Sequence, residues 1–327
     1  MTLLALAAAA AVQASGAPSI EITNFAGEVR IEQGETLSVR VERGDPDAPV
    51  TTVERADGLV IDGGREMDDW RCRGGWRQTG IGFDRASARP FDEWPLVIIT
   101  TPDPAAVSID DSLVQVAAGD LAGLELSLAH CGAFDAGDVA GDVSLGLSGS
   151  ADVTLGDVGG EADIAISGSS DVTLGDVAGS VSLSMSGSGD VALGDAAALG
   201  VRTSGSGDVE AGRIAGALSF SASGSGDLEA ISARGLAMRS GGSADVSLGS
   251  LEGPLEVTLS GSGDATIGDG RAEPFQVRAS GSGGVEFGGT AVDVSVRLSG
   301  GGDVRVGALE GAQSVRTSGG GDFDVGG

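Results

Sequence analysis

The chain has 327 residues, and its 19 basic side chains stand against 48 carboxylates, a formal net charge of −29. That surplus argues against nucleic acid and anionic membrane surfaces as partners, because both are held by basic patches. Hydrophobic residues make up 41% but aromatics only 3%, so a core has to be built from Val, Leu, Ile and Ala.

Residues 1–14 begin with the apolar run "MTLLALAAAAAVQA", in which Val12-Gln13-Ala14 fits the small-x-small rule for signal cleavage. They read as a signal peptide whose charged leading segment is missing, which predicts export to the periplasm, the outer surface or the extracellular space. No later apolar stretch approaches the roughly 20 residues needed to span a bilayer. The mature chain is therefore expected to be soluble, with no transmembrane span.

Residues 15–104 carry strand-like segments, "SIEITNFAGEVRIEQGETLSVRVERG", "ADGLVIDGG" and "WPLVIITTP". They are expected to form irregular first coils or an N-terminal cap, which a stacked β-structure requires over its open end. Between these strands lies the irregular "DDWRCRGGWRQ". Cys72 within it and the later Cys131 form a candidate disulfide in an oxidising compartment; two cysteines alone do not decide the pairing. Trp70, Trp76 and Trp94, with Arg71, Arg73 and Arg77 beside them, form a candidate recognition patch, since Trp and Arg dominate binding hot spots. Burial of the Trp rings as a cap on the core is the competing reading. His130 precedes Cys131, but in an extended strand neighbouring side chains point to opposite faces, so the two form no catalytic pair and no catalytic residue is assigned.

From residue 105 to 327 the chain repeats. A corner phrase close to "SGSGDV" places Asp152, Asp171, Asp190, Asp208, Asp227, Asp245 and Asp264 in one slot, followed by Gly284, Asp303 and Asp322. Successive intervals are 18 to 20 residues, the signature of stacked equivalent units. Within a unit, "SVSLSMSG" and "DVTLGDV" alternate with period two, which means short strands with one buried face. A single unit cannot bury its apolar side alone. Winding into a parallel β-helix solves this, each strand pairing with its equivalent one coil later. In the corners, Gly is expected to supply positive φ, while Asp and Ser bond nearby backbone groups.

The repeated "SGSGDV" and "SGSADV" phrases, the "ITNFAGEVRIEQG" opening and the "VIITTPDPAAVSI" segment resemble the putative auto-transporter adhesin, head GIN domain family. The resemblance implies a right-handed parallel β-helix, an all-β solenoid of coils of about 19 residues, and an envelope or extracellular location. It implies no catalytic residues.

Three functions follow for comparison. The first is a non-enzymatic exported envelope or surface protein that binds an envelope or extracellular ligand along a rod. The second is a calcium-binding β-roll, although the Asp phrase recurs here about every nineteen residues and not every nine as in the Ca²⁺ nonapeptide. Hydrogen bonding in the corner is the preferred role for the Asp column, and no cofactor is assigned. The third is a polysaccharide-acting enzyme, an analogy of fold alone. The exposed coil end predicts a monomer or a weak end-to-end dimer.

Overall fold

In a computed structural model the described residues are 16–75, 78–83 and 87–326; residues 1–14, expected to be a signal peptide, lie outside them. They form a parallel β-solenoid of about 12 turns. Two sides of each coil are regular strands. One runs through Val143–Leu147, Ala162–Ile166, Val177–Met185 and Ala196–Thr203, the other through Ser150–Thr154, Asp171–Thr173, Val191–Leu193 and Val209–Ile214. A narrow third side is held in the early coils by single bridges, Leu121 to Val139 to Val158 to Val177. Towards the C-terminus the sides merge into continuous strands, Val246–Leu259, Ala265–Ala279, Val285–Leu298 and Val304–Thr317, bent by register shifts.

Alternation decides which residues face inward. In Val177–Met185 the last five residues read buried, exposed, buried, exposed, buried, with Val181, Leu183 and Met185 inside and Ser182 and Ser184 in water. Their register partners one coil earlier, Ala162, Ile164 and Ile166, are also buried. Each inward Val or Leu contributes about 1.5–3 kcal/mol by leaving water. Because every rung repeats the choice, the columns join into one continuous core.

The N-terminal end is threaded out of sequence order. Ser19–Thr23 lies between Gly58–Asp62 and Ala105–Asp110, and Ala26–Gln33 lies between Leu96–Thr101 and Leu113–Ala118, all parallel. The chain thus lays down its second coil first, adds an outer one, then returns to continue the stack. Thr51–Arg55 and Ser38–Arg43 close that outer coil by antiparallel pairing to Gly58–Asp62 and Leu96–Thr101. The pairings occupy strand edges that would otherwise recruit another chain.

Residues 65–94 leave the stack as a flap carrying a small antiparallel sheet, Arg71–Gly75, Gln78–Gly82 and Arg89–Pro90. The flap covers the flank of the first coils over Ala26, Leu113 and Cys131. Ala26 and Leu113 are register partners, and Cys131 is followed one coil on by Ser150. From Ser150 onward this column is mostly the exposed Ser of the corner phrase, where no flap covers it.

Candidate functional site

The corner phrase does two jobs, and close approach of backbone explains the glycines. A Cβ on Gly187 would lie 1.7 Å from the carbonyl oxygen of Gly168, and one on Gly168 would lie 1.8 Å from that of Gly149. No glycine of the phrase has φ in the left-handed range. The expectation of positive φ is thus corrected: the glycines are there because stacked coils touch.

The aspartates form a hydrogen-bonded ladder. The backbone N–H groups of Asp190, Asp208, Asp227, Asp245 and Asp264 each donate to Oδ1 of the preceding Asp, at 2.7–3.0 Å. Asp264 accepts from Gly284, which carries no carboxylate, so the ladder breaks there and resumes between Asp303 and Asp322. A second ladder runs along the other corner through Asp120, Asp138, Asp157, Asp176 and Asp195, at 2.8–3.1 Å. It ends where the backbone N–H of Arg213 donates to Asp195. Each carboxylate therefore caps the next coil. Asp152 stands outside this scheme: partial desolvation first, then Asp171 and Asp135, push its carboxyl above the usual carboxylate range. Among the described residues no three His, Cys, Asp or Glu side chains converge as metal ligands would.

Trp70 and Trp94 are fully buried, packed edge to face at 4.9 Å with Phe83 against both. They share one core with Ala26, Leu113 and Cys131 of the first coils, so neither ring is offered to a ligand. Arg71 is exposed and donates to the carbonyl of Trp70, whereas Arg73 is only half-exposed and its Nε is buried. Trp76 and Arg77 lie outside the described residues. Cys72 and Cys131 are joined, with an S–S distance of 2.00 Å, tying the flap to the solenoid.

The exposed feature that the corner-phrase alignment passes over is a column of arginines. On the first side of the prism, the outward residue six places before each corner slot is Gly146, Ala165 and Ser184 in the early coils, then Arg202, Ser221, Arg239, Thr258, Arg278, Arg297 and Arg316. The small residues floor an open trough of about 610 Å³, which runs past Arg202 to Ser221 one rung on. Beyond it Glu256 approaches Arg239 at 3.5 Å and Arg278 at 3.8 Å, whereas Arg297 and Arg316 make no ion pair among the described residues. The third side differs: its trough, about 770 Å³, is lined by Asp157, Asp176 and Asp195 of the second ladder, with Arg213, Arg234 and Glu252 on the later rungs. The repeated "VRTSG", "VRASG" and "VRLSG" carry the arginine signal in the sequence itself.

The family model described as "Putative auto-transporter adhesin, head GIN domain" matches residues 20–212 and 236–327. The chain belongs to this family. Three solved structures are similar to this GIN-domain protein over nearly their whole length. A putative adhesin from Bacteroides fragilis NCTC 9343 is 12% identical with a TM-score of 0.32, covering 95% of this chain and 93% of its own. A putative lipid binding protein from Parabacteroides distasonis ATCC 8503 is 13% identical with a TM-score of 0.27, covering 96% and 94%. A putative adhesin from the same strain is 14% identical with a TM-score of 0.24, covering 95% and 93%. No protein of curated function matches. Likenesses this low carry no inference about ligand or role. Among the described residues no helix is long and apolar enough to cross a membrane.

Proposed function

We propose that this GIN-domain protein is a non-enzymatic, exported envelope or cell-surface protein of adhesin type, which binds its target along the outer side of a rigid rod. The observation that carries the reading is the linear order of its outward side chains. Each exposed column presents one residue per coil, about 4.8 Å apart, so the surface is an extended array suited to a long, repetitive ligand. Family membership over residues 20–212 and 236–327 supports the adhesin type.

The test is fractionation of producing cells combined with protease treatment of intact cells. Recovery in the envelope with cleavage by external protease is the expected result, and recovery only in the cytoplasm would overturn the reading.

A further inference from the structure

We propose that the arginine column of the C-terminal coils is a binding track for an anionic polysaccharide, a chain that bears carboxylate or sulfate groups on successive sugars. The inference rests on the adhesin reading and names the class of ligand for it. Nine arginines follow residue 89, and five of them, Arg202, Arg239, Arg278, Arg297 and Arg316, fall in a single column. The last three occupy consecutive rungs. In a sheet whose strands lie about 4.8 Å apart, the column spans roughly 29 Å over six intervals.

Stacking like charges on adjacent rungs is unfavourable, and among the described residues Glu256 is the one carboxylate pairing with the column. Carboxylates were available to neutralise it, since 48 are present in the chain. Most lie elsewhere, in the two corner ladders and on the other sides; the column next to the arginines holds Glu125 and Asp163 in the early coils and Glu256 at the Thr258 rung, but none on the last three rungs. The column beside the arginines is instead Gln276, Ser295 and Ser314 over the same three rungs, amide and hydroxyl groups suited to sugar hydroxyls. Guanidinium groups match carboxylate and sulfate oxygens in paired hydrogen bonds.

Geometry selects among polyanions. A stripe one residue wide on a rod of net charge −29 favours a chain that lies along it. A flat anionic membrane would be brought against the acidic flanks as well, and single-stranded nucleic acid relies on aromatic platforms for its bases, which this column lacks. The small floor of Gly146, Ala165 and Ser184 continues the same line past Arg202, leaving room for the chain to extend.

The test uses the purified full chain against polygalacturonate and sulfated dextran, with neutral dextran, phosphatidylglycerol vesicles and oligothymidine alongside. Wild type is expected to bind an acidic polysaccharide, more weakly as salt rises, and not neutral dextran. The triple variant Arg278→Ser, Arg297→Ser, Arg316→Ser is expected to lose about tenfold in affinity, as summed exposed ion pairs suggest. A control, Arg213→Ser, Arg234→Ser, Arg271→Ser, makes the same change of net charge outside the column and is expected to keep most of the affinity. Melting curves verify that both variants fold. Equal loss in the two variants, no loss in the first, no binding to either acidic polysaccharide, or preferred binding to vesicles or oligothymidine would overturn the proposal. Surface exposure without polysaccharide binding would defeat this inference alone, whereas binding by a protein confined to the cytoplasm would defeat the adhesin reading alone.

Discussion

Gly187→Ala should be far more damaging than Gly301→Ala, although both glycines sit in the same corner phrase. The new Cβ at position 187 would meet the Gly168 carbonyl oxygen at 1.7 Å. Carbon rarely comes nearer to a carbonyl oxygen than about 3.3 Å, so the coils would have to part by about 1.6 Å. The bonds from Ser186 N–H to Ile166 O at 2.8 Å and from Ser188 N–H to Gly168 O at 3.0 Å flank the contact. Parting the coils that far breaks both. Each neutral bond is worth about 1 kcal/mol net, and forced overpacking adds about 1–3 kcal/mol, so the expected cost is about 3–5 kcal/mol. A Cβ on Gly301 meets nothing within 4 Å, and Ser occupies the same rung position in most other coils. Its replacement should change stability by no more than about 0.5 kcal/mol. Urea unfolding followed by circular dichroism measures both, and hydrogen exchange of the flanking amides localises the effect, because solenoid stability is a sum over neighbouring repeats. A Gly187→Ala protein as stable as wild type, or equal effects at the two sites, would refute the close-approach argument.

Leu183→Asp should unfold several coils, because an unpaired charge would replace a fully buried side chain, whereas Ser182→Asp should leave the melting temperature nearly unchanged; equal effects would mean the register is wrong. Asp152 has a raised folded-state pKa, so its ionised form costs stability at neutral pH and protonation recovers it. Asp152→Asn should therefore raise the melting temperature at neutral pH, with the gain shrinking as pH falls through the carboxyl's titration; a gain that grows on acidification would contradict this. Reducing the Cys72–Cys131 bond opens a loop closed across 59 residues, for which chain entropy gives about 4 kcal/mol. The loss should appear first as exchange and proteolysis in residues 65–94, and protection there that survives reduction would show the flap's aromatic core to be sufficient.

Much of the solenoid was legible because its rules are local. The interval between corner aspartates set the coil length, and alternation in segments such as 181–185 set which side chains enter the core. The N-terminal threading was not legible: Ser19–Thr23 pairs with residues 39 and 87 positions away, and parallel partners at that distance leave no local pattern. The glycines were recognised but given the wrong cause, since sequence does not show where a neighbouring coil's carbonyl stands. Trp70 and Trp94 suit both an exposed anchor and a buried cap on composition alone, and their burial follows from a flap whose closure over the first coils leaves no local pattern. The arginine column was readable in principle. Alignment on the aspartates drew attention to the corner, and the signal lies six residues upstream of it.

Adhesion by the outer side of the rod is measured on cells that lack the protein and are complemented with wild type or with the Arg278→Ser, Arg297→Ser, Arg316→Ser variant. Adherence to a surface coated with acidic polysaccharide should fall on deletion, return with wild type, and fail to return with the variant expressed at the same level. Adherence unchanged by deletion would mean that the rod is not the adhesive surface.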